Sequence, residues 1–143
     1  MERPVRSIIE DQNPVTASAD ITVSEAARLM KQHRIGAILV IQDGRLAGIF
    51  TERDALFRVI AEGRNPAKTR VAEVMTANPR TITPDRPFGH ALHLMYEGGF
   101  RHVPVVDNGR PLGVVSSRDA LGPDLQQFIA DLDQRAHIGE ILG

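Results

Sequence analysis

Two heptads hold the residue types that could do chemistry. Gly48-Ile49-Phe50-Thr51-Glu52-Arg53-Asp54 and Gly113-Val114-Val115-Ser116-Ser117-Arg118-Asp119 each set a hydroxyl residue three positions ahead of an aspartate, with an arginine in between. Both stand where an apolar run ends and a helical pattern begins. A helix start offers free N–H donors and partial positive charge, which suit a phosphate, and Thr51 or Ser116 adds a hydroxyl donor. Arg53 and Arg118 add full charge with forked donors. A carboxylate beside a phosphate is repulsive, so Asp54 and Asp119 require a different partner, and the paired hydroxyls of a ribose fit. With a base in an apolar cleft, this constellation describes a nucleotide site. The same spacing is also a helix-starting pattern in which both aspartates serve only as caps.

The heptads lie 65 residues apart (113 − 48), and the register continues without a gap. Asn13-Pro14 matches Asn78-Pro79, Asp20 matches Asp85, Leu29-Met30 matches Leu94-Met95 and Gly44-Arg45 matches Gly109-Arg110. The chain is a tandem duplication whose period exceeds that of solenoid repeats, so each copy reads as a small domain or half-domain.

Each copy must position its heptad with the same elements. In the first, Thr22-x-x-Glu25 is a capping-box pattern, and Val23, Ala26, Ala27 and Met30 follow at helical spacing. An apolar run over 37–41, the turn Asp43-Gly44 and a second run over 46–50 predict a hairpin. After Asp54, residues 55–61 place Leu56, Val59 and Ile60 on one helical face, with Gly63 as C-cap. The second copy repeats this with Ala91, Leu94 and Met95 in its helix, strands over 103–106 and 112–115, and the turn Asn108-Gly109; Pro87 replaces Thr22 at the cap. Pro104 inside a strand predicts an edge or ligand-facing segment, because its backbone has no N–H to donate.

Residues 64–70 read as a linker whose Arg64, Lys68 and Arg70 are solvated. Beyond 122, Leu125, Phe128, Ile129 and Leu132 recur at helical spacing, predicting a helical tail that packs on its own body or on a second subunit. The division is therefore 5–63, 64–70, 71–122 and 123–143.

Composition narrows the function. With 17 basic and 18 acidic residues the formal net charge is −1, so no long-range field draws the 143-residue chain to nucleic acid or anionic lipid. Aromatic residues make up 4% and Trp is absent, leaving an aliphatic core and few rings on which nucleic-acid bases could stack. The absence of cysteine excludes disulfides, thiolate metal sites and a cysteine nucleophile. Met1-Glu2-Arg3-Pro4 lacks the apolar core of a signal peptide, and no stretch approaches the ~18 apolar residues of a membrane span, so a cytoplasmic protein is expected. His90 and His93, three apart on a helix, have no third ligand nearby, while His33, His102 and His137 are scattered, so no metal site is expected. No catalytic constellation is present, and the chain is expected not to be an enzyme.

On the two heptads, on Val74-Met75-Thr76 and on Arg101-His102-Val103-Pro104-Val105-Val106-Asp107, residues 5–122 resemble a tandem pair of cystathionine-β-synthase (CBS) domains. The resemblance implies a mixed α+β fold: two β-α-β-β-α units packed sheet to sheet about a pseudo-two-fold axis, with two clefts between them. It implies a stand-alone bacterial-type, non-catalytic regulatory protein that takes AMP, ADP, ATP, NAD or S-adenosylmethionine and works as a homodimer on a separate regulated protein. The family's ribose role falls on Asp54 and Asp119 and its phosphate role on Thr51 and Ser116; Val15, Arg80 and His102 occupy further cleft positions. A ligand-independent dimerisation module is the alternative. Because Glu52 is matched by Ser117, the first cleft is expected to hold an extra negative charge and accept fewer phosphates.

Overall fold

The computed structural model describes residues 3–142, with side chains through residue 136; His137 therefore lies outside the described side chains, as does Gly143 altogether. The first copy opens with α1 (Val5–Ile9), β1 (Thr16–Ser18) and α2 (Val23–His33). The hairpin β2 (Ala37–Gln42) and β3 (Arg45–Thr51) leads into a single turn, α3 (Glu52–Asp54). The second has α4 (Val71–Val74), β4 (Thr76–Ala77), α5 (Phe88–Gly98) and the hairpin β5 (His102–Asp107) and β6 (Arg110–Ser116). A 3-10 turn, Ser117–Asp119, then precedes the long α6 (Gly122–Leu142).

Local signals act as their chemistry dictates. The Thr22 hydroxyl accepts from the Glu25 N–H at 3.1 Å, and Arg34 ends α2 in the left-handed region. Both hairpin turns, Asp43-Gly44 and Asn108-Gly109, hold two consecutive residues at positive φ, the conformation that Asx-Gly pairs adopt most readily. Pairing repeats with the 65-residue offset: Ala17 pairs with Val40 in parallel, as Ile82 does with Val105.

The leading helices are exchanged. Val5 and Ile9 of α1 are buried with Ile82, Phe88, Val103 and Val115 of the second copy. Val71 and Val74 of α4 are buried with Val23, Met30, Ile38 and Phe50 of the first. A third cluster joins the two sheets, with Leu39 and Ile49 of the first hairpin against Val114 of the second. Burial of these aliphatic side chains, at about 1.5–3 kcal/mol each, holds the lobes together and fixes the space between them.

Several local expectations are corrected. Residues 55–61 were expected to form an α-helix with Leu56, Val59 and Ile60 on one face. Instead Ala55–Ile60 is π-helical, with the Ala61 N–H donating to the Leu56 carbonyl at 2.9 Å. The wider turn buries Val59 fully but leaves Leu56 51% and Ile60 66% exposed. Ala27 is likewise exposed, while Val23, Ala26 and Met30 are buried.

Pro104 lies in the two-stranded β5–β6 sheet, at an edge as its missing N–H predicts, and lines neither cleft between the copies. It is fully buried, with Val114 on one side and the Ile82 bridge on the other. In the first copy its counterpart Leu39 donates its N–H to the Val15 carbonyl at 3.1 Å. Proline cannot do so, which ends the second copy's parallel pairing at one bridge and leaves the Arg80 carbonyl without that donor. The linker is also more than a solvated connection. Thr69 is buried, its carbonyl accepts from the Val23 N–H at 2.9 Å, and Arg64 pairs with Glu73 at 2.6 Å.

Candidate functional site

The exchange of leading segments brings each heptad against the other copy. One cleft, of about 690 Å³, is lined by Thr51, Arg53, Asp54 and Phe57 from the first copy and by Asn78, Arg80, Phe100 and His102 from the second. The other, of about 370 Å³, is lined by Ser116, Arg118, Asp119 and His102 of the second copy and by Gln12, Val15 and Ile35 of the first. Arg80 thus joins the first heptad and Val15 the second, although each is distant in sequence from its cleft partners.

Within each heptad the backbone is pinned by a matching bond. The Glu52 N–H donates to the Gly36 carbonyl at 3.0 Å, and the Ser117 N–H to the Arg101 carbonyl at 3.1 Å. The hydroxyl and aspartate then close on each other. The Thr51 N–H and hydroxyl both donate to Asp54 Oδ2, at 3.0 and 3.2 Å, while the Asp54 N–H donates to Thr51 Oγ1 at 3.2 Å. Asp54 is buried, with its Oδ1 3.6 Å from Arg58 Nε. In the second copy the Ser116 N–H donates to Asp119 Oδ2 at 2.7 Å, and the Arg118 N–H donates to Ser116 Oγ at 3.2 Å. Both aspartates therefore act as caps here, the plainer of the two roles their spacing allows.

The arginines differ. Arg53 Nη1 donates to the Gly99 carbonyl at 2.8 Å, so part of its donor set ties the two copies together. Arg118, its counterpart, is exposed and lines the smaller cleft. Arg58, which sequence reasoning passed over, donates to the Val74 and Met75 carbonyls at 3.3 and 3.1 Å and borders the larger cleft. Its only advance signal was its place one helical turn beyond Asp54.

Glu52 does not sit in the first cleft alone, as the pairwise comparison of heptads suggested. It lines both. Gly36 makes this possible, since a Cβ there would come within 3.0 Å of Glu52 Oε1 and 3.5 Å of His102 Nε2. Burial holds the His102 imidazole below its ordinary pKa, against the pull of Glu52, while Arg118 and Arg101 push the same way as burial.

The second-copy wall is braced from behind. Gln12 mimics a strand neighbour: its Nε2 donates to the Val114 carbonyl at 2.9 Å and its Oε1 accepts from the Val114 N–H at 3.0 Å. Arg3 Nη2 donates to the Asp119 carbonyl at 2.7 Å and to Asp124 Oδ2 at 2.6 Å, joining the heptad to α6. That helix lies on α5, with Phe128 against His93 and Tyr96 at ring separations of 4.9 and 5.7 Å. His93 Nε2 lies 3.2 Å from Asp131 Oδ2, so this histidine is engaged by the tail. Among the described residues no three His, Asp or Glu side chains gather as a metal site, and no helix is long and apolar enough to cross a membrane.

The family model for the CBS domain matches twice, over residues 5–61 and 71–122. The mitochondrial CBS domain-containing protein CBSX3 of Arabidopsis thaliana is 38% identical over 109 residues, 73% of this chain and 53% of its own length. The chain thus spans about half of that relative. A protein with CBS domains from Burkholderia ambifaria MC40-6 superposes with a TM-score of 0.78 at 34% identity, covering 90% of this chain and 96% of its own. The CBS domain pair of protein MJ0100, solved with 5′-methylthioadenosine and S-adenosyl-L-methionine, gives 0.75 at 31% identity, covering 83% and 93%.

Proposed function

Since the chain belongs to the CBS-domain family, we propose that it is a non-catalytic regulatory module that binds adenosine-containing ligands in its two inter-copy clefts. The observation that carries this reading is the reciprocal construction of the clefts, each joining the hydroxyl and aspartate of one copy to the pre-strand segment of the other. The MJ0100 pair supports the ligand class through its two adenosyl ligands. On this reading Asp54 and Asp119 take the ribose hydroxyls, Thr51 and Ser116 approach the 5′ group, and Arg53, Arg118, Arg80 and His102 meet its charge. Val15 offers apolar contact to the base in the smaller cleft.

Signalling then requires a ligand to favour one of two conformations. The exposed Leu56, Phe57 and Ile60 of the first copy and Leu125 and Ile129 of α6 supply apolar faces for a homodimer acting on a separate protein in the cytoplasm. The observed capping bonds favour one other reading, a ligand-independent interaction module in which both aspartates serve only the fold.

Thermal unfolding against AMP, ADP, ATP, NAD and S-adenosylmethionine separates them. A ligand at ~100 times its dissociation constant adds about 2.7 kcal/mol. Asp54→Ala and Asp119→Ala should each remove the part of that gain belonging to its own cleft. The absence of a shift with every ligand, in nucleotide-free protein, would leave the interaction module.

A further inference from the structure

Three residues line both clefts: Glu52, Arg101 and His102. Their counterparts across the 65-residue offset are Ser117, Gly36 and Ala37, none of which is ionisable. The wall between the clefts therefore holds one carboxylate, one guanidinium and one imidazole where a symmetric duplication would hold two of each. Gly36 leaves the space these side chains occupy, since a Cβ there would lie 3.0 Å from Glu52 Oε1 and 3.5 Å from His102 Nε2. Arg53, which could have served the larger cleft separately, is tied to the Gly99 carbonyl. Arg118 and Asp119 face this wall from the smaller cleft, and Arg34 reaches it from the end of α2.

Building on the nucleotide reading above, we infer that the two clefts share a single anion subsite on Arg101 and His102, with Glu52 as its counter-charge, so that phosphate-bearing ligands in the two clefts compete for it. One guanidinium offset by one carboxylate accommodates one phosphate far better than two. An uncharged nucleoside leaves the subsite empty and does not feel the other cleft.

Calorimetric titration with AMP and with adenosine tests this on the whole chain at low salt. Asp54→Ala and Asp119→Ala give the affinity of each cleft alone. In the unaltered chain the second AMP should bind on the order of tenfold more weakly than AMP binds that same cleft in the single-cleft variant. Adenosine should fill the two clefts independently. Arg101→Gln should weaken AMP in both single-cleft variants while leaving adenosine binding intact, which also shows that the variant is folded. Glu52→Gln should strengthen AMP in both, and raising the salt should shrink the coupling. Independent AMP sites, or an Arg101→Gln effect confined to one cleft, would overturn the shared subsite while leaving the nucleotide reading in place. Failure of both AMP and adenosine to bind would overturn both.

Discussion

Replacing Asp54 with alanine in the ligand-free protein isolates what the first heptad contributes to the fold. Asp54 Oδ2 accepts the Thr51 N–H and hydroxyl, and the residue is only 7% exposed. Losing the carboxylate half of this capping box, in which Thr51 is the N-cap, costs about 1 kcal/mol. The stranded, partly buried Thr51 N–H adds about 1 kcal/mol more, since little water reaches it. For a chain of 143 residues the unfolding entropy is about 0.3 kcal/mol per kelvin, so ~2 kcal/mol lowers Tm by about 7 °C. Asp119 is half-buried and accepts from one backbone N–H, at 2.7 Å, ahead of a 3-10 turn, so Asp119→Ala should cost about 1 kcal/mol and roughly 3 °C. Asp54→Asn keeps an oxygen acceptor and should fall between Asp54→Ala and the unaltered chain. Calorimetric scans of nucleotide-free protein read all three. Equal losses at Asp54 and Asp119 would refute the argument that burial weights the cap, and an asparagine variant as unstable as alanine would refute the acceptor's role.

Two further outcomes follow from packing and titration. At Gly113 a Cβ would meet Gln12 Oε1 at 2.8 Å and Ile9 at 2.9 Å, whereas at Gly122 nothing lies within 4 Å; Gly113→Ala should therefore lower the urea midpoint by the equivalent of about 2 kcal/mol and loosen α1, while Gly122→Ala should leave it nearly unchanged. Burial lowers the His102 pKa, so the unfolded chain takes up a proton that the folded chain resists, and stability from this residue is full above the unfolded value near 6.5 and declines as pH falls below it; urea midpoints between pH 7.5 and 5 should fall less steeply in His102→Gln.

The parts of the fold governed by neighbouring residues were legible in the sequence. The Thr22 cap, the two Asx-Gly turns and the apolar strands depend on a few adjacent side chains, and each stands where its pattern puts it. The repeat also revealed that the heptads are equivalent. It could not reveal that α1 belongs in the second core and α4 in the first, because periodicity records which residues are apolar and not which apolar surface they meet. The π-helical turn was hidden for a related reason: Leu56, Val59 and Ile60 fit an α-helical face, whereas the wider turn buries Val59 and leaves the other two exposed. Pro104 was informative too: its missing N–H belongs to a strand of a two-stranded sheet, whose side away from β6 meets only the Ile82 bridge.

The candidate site follows the same logic at finer scale, because a duplicated frame turns single substitutions into differences between clefts. Val15 against Arg80 makes the pre-strand position apolar in one cleft and cationic in the other. Leu39 against Pro104 occupies the Val15 carbonyl with a backbone donor but leaves the Arg80 carbonyl without one. The aspartates differ in what they must give up. Asp54 divides its oxygens between the Thr51 bonds and Arg58, so a ribose in the larger cleft must rearrange an ion pair as well as a cap. Asp119 commits Oδ2 to the Ser116 N–H alone, which leaves its other oxygen for a diol without disturbing the turn. On the proposed reading the smaller cleft is therefore the better prepared for ribose, whereas the larger offers more cationic and aromatic contact around it. Two sites descended from one sequence would then differ first in the cost of reorganisation and only second in the contacts they make.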